Sequence, residues 1–98
     1  MSNNKLTVVA VIFAVEEKRD LVKAELMKLI EPTRAEEGCI NYDLHQDNED
    51  PNLFLFHENW ESEEHLMAHS KSAHIAEYRK NTEGAIADKT VNRMSQIG

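Results

Sequence analysis

Two histidines, His69 and His74, are the residues of this sequence best suited to move a proton. Imidazole titrates close to neutral pH, so one side chain can act first as a base and then as an acid. Glu58 is the third candidate, because a carboxyl group among aromatic residues resists ionisation unless it is hydrogen-bonded. These residues predict proton-transfer chemistry, and the alternative is that all three have structural roles.

Aromatic side chains are expected to surround Glu58. The stretch LFLFHENW predicts a strand over Leu53–Trp60, and side chains on a strand alternate between its two faces. The even positions therefore share one face with Glu58. Together with one tyrosine on the preceding strand, they form the predicted binding surface for a flat ring: Tyr42, Phe54, Phe56 and Trp60. The alternative is that these rings only fill the core.

No metal site is predicted. His65 and His69 have the spacing of two zinc ligands on a helix, but a catalytic zinc usually takes three protein ligands. The nearest third histidine, His57, falls on the strand face opposite Trp60. Cys39 is expected to pack rather than to act as a nucleophile, since nothing nearby predicts a lowered pKa.

The elements that carry these residues are predicted from hydrophobic period. Leu6–Val15 is a continuously apolar strand, which predicts cover on both faces. An amphipathic helix is predicted from Glu16 to about Ile30, with Pro32 ending it. Alternation then predicts a strand over Cys39–Gln46, with one face formed by Ile40, Tyr42 and Leu44.

The second half of the sequence predicts a hairpin, a broken helix and a last strand. Turn-forming residues at 47–52 join the two middle strands, and Ser62 is a predicted N-cap. The helical region breaks at Ser70–Ser72 and resumes to about Glu83. The last strand is predicted over Asp88–Ile97, with Val91 as its clearest apolar position. The order βαββαβ predicts an α+β, ferredoxin-like antiparallel sheet.

Length and charge restrict the function. The 98 residues, 1–98, predict a single domain, and a net charge of −7 argues against nucleic acid and against an anionic membrane surface as partners. No apolar run reaches the roughly 20 residues that cross a bilayer. The single cysteine favours a reducing compartment, so cytoplasmic localisation is expected. A small domain with an apolar strand also gains from a subunit interface, which favours a homodimer.

Three sequence segments together resemble the antibiotic biosynthesis monooxygenase (ABM) domain family. They are Glu36 to Tyr42 (EEGCINY), Glu58 to Trp60 (ENW) and His69 to His74 (HSKSAH), in the family's order and spacing. The resemblance implies a dimeric α+β barrel, in which two sheets pack face to face and each subunit keeps a pocket between its sheet and its helices. The haem-degrading branch typically has an Asn on the first strand, and Leu6–Val15 contains none.

The resemblance also implies a cofactor-independent monooxygenase that oxidises a quinol or phenolic small molecule with molecular oxygen. Such an enzyme makes its substrate electron-rich by removing a proton, which needs a base and an apolar pocket. Two alternatives stay open at this point. One is an isomerase of a small phosphorylated or hydroxylated carbonyl compound, and the other is a non-catalytic dimer that binds a small ligand.

Overall fold

The sheet has four antiparallel strands in the order β2-β3-β1-β4, and the helices pack on one of its faces. The computed structural model describes residues 5–98. The elements in chain order are β1 (Leu6–Ala14), α1 (Arg19–Lys28), α2 (Ile30–Arg34), β2 (Cys39–Gln46), β3 (Leu53–Trp60), α3 (Glu63–Ser70), α4 (Ala73–Asn81) and β4 (Ile86–Met94). This arrangement confirms the α+β, ferredoxin-like fold expected from the sequence. No helix within residues 5–98 is long and apolar enough to span a membrane.

The two middle strands have the bounds that alternation predicts, whereas the last strand is shifted. β4 begins two residues before the predicted Asp88 and ends three residues before the predicted Ile97. One side-chain assignment on β2 was also wrong. The pairing register shifts between Cys39 and Asn41, and Ile40 is 51% exposed instead of sharing the buried face of Tyr42.

The first helical region differs from the prediction at its C-terminal end. A 3-10 turn over Glu16–Lys18 precedes α1, and α1 stops at Lys28, before the proline. Pro32 does not end a helix: it lies in the first turn of the short α2, where its missing N–H has no intrahelical partner to lose. The helix is therefore interrupted at Leu29, about one turn before the position at which the proline predicts its end.

The corner between α3 and α4 lies where the sequence places it. Ser62 caps α3 by accepting a hydrogen bond from the His65 N–H, and Ser72 caps α4 by accepting from the Ile75 N–H. Two serine caps this close explain why one helical region becomes two helices. The corner also carries His69 on α3 and His74 on α4, so it sets the position of both candidate histidines.

Only one face of β1 is covered within the protomer. Val8, Ile12 and Ala14 point toward the helices and are buried. Val9 and Val11 point to the other face and are partly exposed. We call this second side of the sheet the open face. Continuous hydrophobicity in β1 therefore leaves an apolar surface without cover from this chain's own helices.

Candidate active site

A cavity of about 170 Å³ lies between the sheet and the helices. Its walls are mostly apolar and come from β1, β2, β3 and β4 on one side and from α1, α3 and α4 on the other. Four of the lining side chains are ones that the sequence analysis selected: Tyr42, Phe56, Glu58 and His69. The pocket that the sequence predicts between sheet and helices is therefore present, and it contains two of the three candidate proton carriers.

Glu58 is a buried carboxyl group, 4% exposed, on the helix-facing side of β3. One of its oxygens, Oε1, accepts a hydrogen bond of 2.9 Å from Trp60 Nε1. Burial raises the pKa of Glu58 from 4.5 to about 7, and the bond from Trp60 opposes this only in part. Glu58 can therefore exchange a proton with a bound molecule near neutral pH.

His69 on α3 reaches the same cavity and is 6% exposed. Its Nδ1 lies 2.7 Å from Glu36 Oε2. Because a carboxylate only accepts hydrogen bonds, Nδ1 carries the proton and Nε2 keeps its lone pair in the neutral ring. Burial lowers the pKa of His69, and the bond to Glu36 raises it in part. The ring is thus held in one tautomer, neutral and able to accept a proton.

Glu36 is the functional residue that the sequence analysis did not select, although it lies in the EEGCINY segment. It follows α2 in a turn that ends at Gly38, and its carboxylate is 33 residues from His69 in sequence. Gly38 has a φ of +85°, which favours glycine, and a Cβ there would overlap the His65 ring. Spacing alone does not predict this contact, because it depends on a long-range turn packing against α3.

His74 meets the same carboxylate oxygen. Its Nε2 lies 2.7 Å from Glu36 Oε2, and its side chain is 24% exposed. It does not line the cavity. The structure thus brings both predicted histidines onto Glu36, but only His69 reaches the space where a substrate would lie.

The predicted ring-binding residues divide into two pairs. Tyr42 and Phe56 line the cavity and stack on each other with ring centroids 4.3 Å apart. Phe54 and Trp60 are buried in the core and do not line it. Trp60 lies behind the wall, where it donates to Glu58 and packs on His69 at 4.8 Å between ring centroids. Its position supports the two proton carriers from outside the cavity.

Tyr42 contributes a ring and not an acid. Burial, and then the nearby Glu58 carboxyl group, raise the pKa of its hydroxyl group above the usual range. Its ring also meets that of His69 edge-on, with centroids 5.5 Å apart. Tyr42 is therefore neutral at any working pH and supplies a flat apolar wall beside the histidine.

One group within residues 5–98 has the donor types that a divalent cation takes: Glu36, His69 and His74. Their donor atoms lie within 4.8 Å of one another. The same atoms are joined by the two hydrogen bonds to Glu36. The pair that the sequence suggests for zinc separates, since His65 is 2.7 Å from Ser62 Oγ and does not join His69.

The sequence matches the family model described as "Antibiotic biosynthesis monooxygenase" over residues 5–81. Among curated proteins, it is 41% identical over 61 residues to "Putative monooxygenase Rv0793" from Mycobacterium tuberculosis, a match that covers 62% of this chain and 59% of that protein. It is 36% identical over 59 residues to "Putative monooxygenase YcnE" from Bacillus subtilis, covering 60% and 62% respectively. Matches to curated relatives span between 48% and 62% of their lengths.

The fold is also similar to solved structures. The crystal structure of PA3566 from Pseudomonas aeruginosa superposes with a TM-score of 0.93 at 30% identity, covering 97% of this chain and 96% of that one. The family match includes the cavity's β1, β2 and β3 walls, α1, α3 and the turn that holds Glu36. This chain therefore belongs to the antibiotic biosynthesis monooxygenase family.

Proposed function

We propose that this protein is a monooxygenase that oxidises a quinol or phenolic molecule with molecular oxygen and without a bound cofactor. The observation that carries the proposal is an apolar cavity whose wall contains Glu58 and His69. The family and the relatives named as monooxygenases support the same class of reaction. The quinol or phenolic substrate and the use of molecular oxygen go beyond what the names of these relatives state.

The reaction balances without an external reductant. One 1,4-quinol and one molecule of oxygen give one hydroxyquinone and one water. One oxygen atom forms a new bond to a ring carbon, and the other leaves as water with two hydrogen atoms of the substrate. The substrate supplies all the electrons that reduce oxygen, which is the part a cofactor plays in other oxygenases.

Removal of a proton makes the ring electron-rich enough for this step. Glu58 in its ionised form is the base, because it lies in the cavity wall and its pKa is about 7. His69 is the second acceptor through Nε2, which the Glu36 hydrogen bond leaves free. His74 shares Glu36 with His69, so it acts as a positioning residue that holds the carboxylate in place.

The cavity size suits a single ring. A cavity of about 150 Å³ lined by apolar side chains accommodates benzene, and this one measures about 170 Å³. Tyr42 and Phe56 supply flat surfaces, while the apolar walls exclude water from the reacting centre. A monocyclic quinol is therefore the first substrate to test.

The direct experiment incubates the protein with a panel of monocyclic quinols while recording oxygen consumption and product mass. With 18O-labelled oxygen gas, each turnover of a monooxygenase places one labelled oxygen atom in the organic product. The other labelled atom is released as water. Turnover that continues at the same rate without oxygen identifies the isomerase alternative. Ligand binding without turnover, unchanged in His69→Asn, identifies the non-catalytic alternative.

The cofactor-free part of the proposal has a separate test. Protein treated with EDTA and freed of metal should keep its full rate of oxygen consumption. Added Zn²⁺ should slow the reaction by binding Glu36, His69 and His74 in place of the two hydrogen bonds that join them. Loss of activity on EDTA treatment, with recovery on adding Fe²⁺ or Mn²⁺, would instead assign a metal to this group.

We also propose that the protein works as a homodimer, with the open faces of two sheets packed together. Apolar side chains with partial exposure occupy the centre of that face: Val9, Val11, Phe13, Leu53 and Leu55. The polar groups at one end are already paired within the protomer, since Thr7 bonds to Asn59 at 2.6 Å and Asn59 bonds to Asn41 at 2.7 Å. A face with satisfied polar groups and an apolar centre suits burial against a second copy.

A further inference from the structure

The charges that line the cavity are unevenly placed. Glu58 belongs to β3, whereas Arg79 on α4 and Lys89 on β4 are exposed and lie where the cavity opens to solvent. We call Arg79 and Lys89 the mouth cations. In a chain of net charge −7, the exposed lining of this cavity carries two cations and no carboxylate, since its one acid, Glu58, is buried. A negatively charged group is therefore favoured at this place.

The mouth cations are available to a ligand. Lys89 makes no side-chain hydrogen bond or ion pair with any residue in the range 5–98. Arg79 uses Nη1 to donate to the Ser70 carbonyl oxygen at 3.2 Å and pairs with no carboxylate in that range. Two acids, Glu83 and Asp88, share an outer depression with the mouth cations but form no ion pair with them. Most of the guanidinium donors and the whole ammonium group remain open to a ligand.

The sheet register separates the mouth from the base. Glu58 lies in the row of Val8, and Lys89 lies in the row of Ile12, two strands from β3. Four residues along the strands and two strands across correspond to about 16 Å between Cα atoms. A long lysine side chain shortens this gap, so one ring in the cavity, with one substituent directed outward, spans it. The substituent meets the cations while a ring hydroxyl meets Glu58 or His69.

We infer that the substrate of this site is a single ring carrying an anionic oxygen group, which Arg79 and Lys89 hold at the cavity mouth. The inference deepens the proposed function and rests on it for the identity of the ring. Arginine's planar donors match a carboxylate or a phosphate in two-point contact, and lysine adds a charge that rotates freely. The anionic group fixes which end of the ring faces inward.

Binding under anaerobic conditions tests this inference without turnover. Calorimetry compares 2,5-dihydroxybenzoate with its neutral, equally large amide, and 4-hydroxyphenyl phosphate with 4-methoxyphenol, so that carboxylate and phosphate are separated. Each anion should bind to the wild-type protein about tenfold more tightly than its neutral match. The preference should shrink as salt is raised, because both cations are exposed.

The variants are Arg79→Gln, Lys89→Ala and the double change, with Lys80→Ala as the control. Lys80 is an exposed cation next to Arg79 on the same helix, but it does not line the cavity. The double variant should lose the preference for the anion and keep its affinity for the amide, whereas Lys80→Ala should keep both. Lys89→Ala removes only an exposed side chain, so its effect is independent of any disturbance at the Ser70 contact.

Three results would overturn the inference. The wild-type protein could bind the anion and its neutral match with equal affinity, or bind neither of them. Alternatively, Lys80→Ala could lose the preference for the anion as fully as the double variant does. Each of these results is separate from the fate of the proposed function. If the protein consumes oxygen with uncharged quinols but not with the anionic ones, the monooxygenase proposal stands and the inference of an anionic substituent is wrong. If the anions bind in a way that depends on Arg79 and Lys89 but no oxygen is consumed, the anion site at the mouth stands and the monooxygenase proposal is wrong.

Discussion

Glu58 holds its proton near neutral pH because β3 buries it beside Trp60, Phe56 and Tyr42. The sequence predicts this environment, since alternation alone places Glu58 on the aromatic face of its strand. The role of Glu36 was not predictable in the same way. Its contacts with His69 and His74 span 33 and 38 residues, and only the packed turn between α2 and β2 creates them.

The raised pKa of Glu58 predicts a stability change with pH. The folded protein binds a proton that the unfolded chain releases above pH 4.5, so the contribution of Glu58 to stability is greatest below that pH and is lost as pH rises through about 7. Urea unfolding at pH 5 and pH 8 should show the wild type losing about 2 to 3 kcal/mol relative to Glu58→Gln. Parallel changes in the two proteins would contradict a buried, protonated Glu58.

Glu36 is predicted to act on His69 as a positioning residue. In Glu36→Gln, the pKa of His69 should fall further, because the Glu36 hydrogen bond and charge now raise it against burial. Histidine NMR titration measures this shift, and kinetics should show a lower kcat with little change in KM. Glu37→Gln, an exposed neighbour, is the matched control. A His69 pKa that is the same in all three proteins would leave Glu36 with a merely structural part.

At the scale of elements, sequence patterns predict strands better than their ends or bends. Alternation gives β2 and β3 their bounds, but it does not predict the register shift that exposes Ile40. Pro32 ends a helix only where it falls beyond the first turn, and here it lies in the first turn of α2. The turn at Gly38 matters most for function, because it sets the path of the chain from Glu36 into β2.

Gly38→Ala is predicted to destabilise the protein far more than Gly84→Ala. Both glycines have positive φ, +85° and +79°, but a Cβ at Gly38 overlaps His65, whereas one at Gly84 meets nothing within 4 Å. Unfolding experiments should give a loss of about 1 kcal/mol for Gly84→Ala and at least about 3 kcal/mol for Gly38→Ala.

A double-mutant cycle separates the two causes at Gly38. Adding His65→Gly, which removes the ring and also the His65 Cβ that would lie 2.6 Å from the new methyl group, should recover the part of the loss due to overlap. In that background, Gly38→Ala should cost about as much as Gly84→Ala. Equal losses for the two single glycine variants, with no coupling to His65, would mean that the close approach of the ring has no energetic weight.

At the scale of the whole molecule, β1 alone predicts more cover than one chain supplies. Val8, Ile12 and Ala14 on its helix-facing side are buried, while its other side belongs to the open face. The sequence cannot say what lies against that face, because a hydrophobic pattern records the need for burial and not the partner. The homodimer is therefore a proposal with its own test.

Leu55→Lys is predicted to convert a dimer to a monomer. Leu55 lies on the open face opposite Val11, so a charge there would have to be buried in the proposed interface. Light scattering after gel filtration measures the mass of each protein. Leu21→Lys, at a leucine that is 40% exposed on α1, should leave the mass unchanged. A measured mass equal to one chain for the wild-type protein would contradict the proposed homodimer.

The most direct test of the central claim is the pH dependence of kcat/KM for oxygen consumption with a monocyclic quinol. If ionised Glu58 removes the substrate's proton, the wild-type value should rise with pH and level off above about pH 7. Glu58→Gln should lose at least about 100-fold in kcat/KM and show no such rise, while still binding the quinol. A folded Glu58→Gln that keeps the wild-type rate and pH profile would contradict the account.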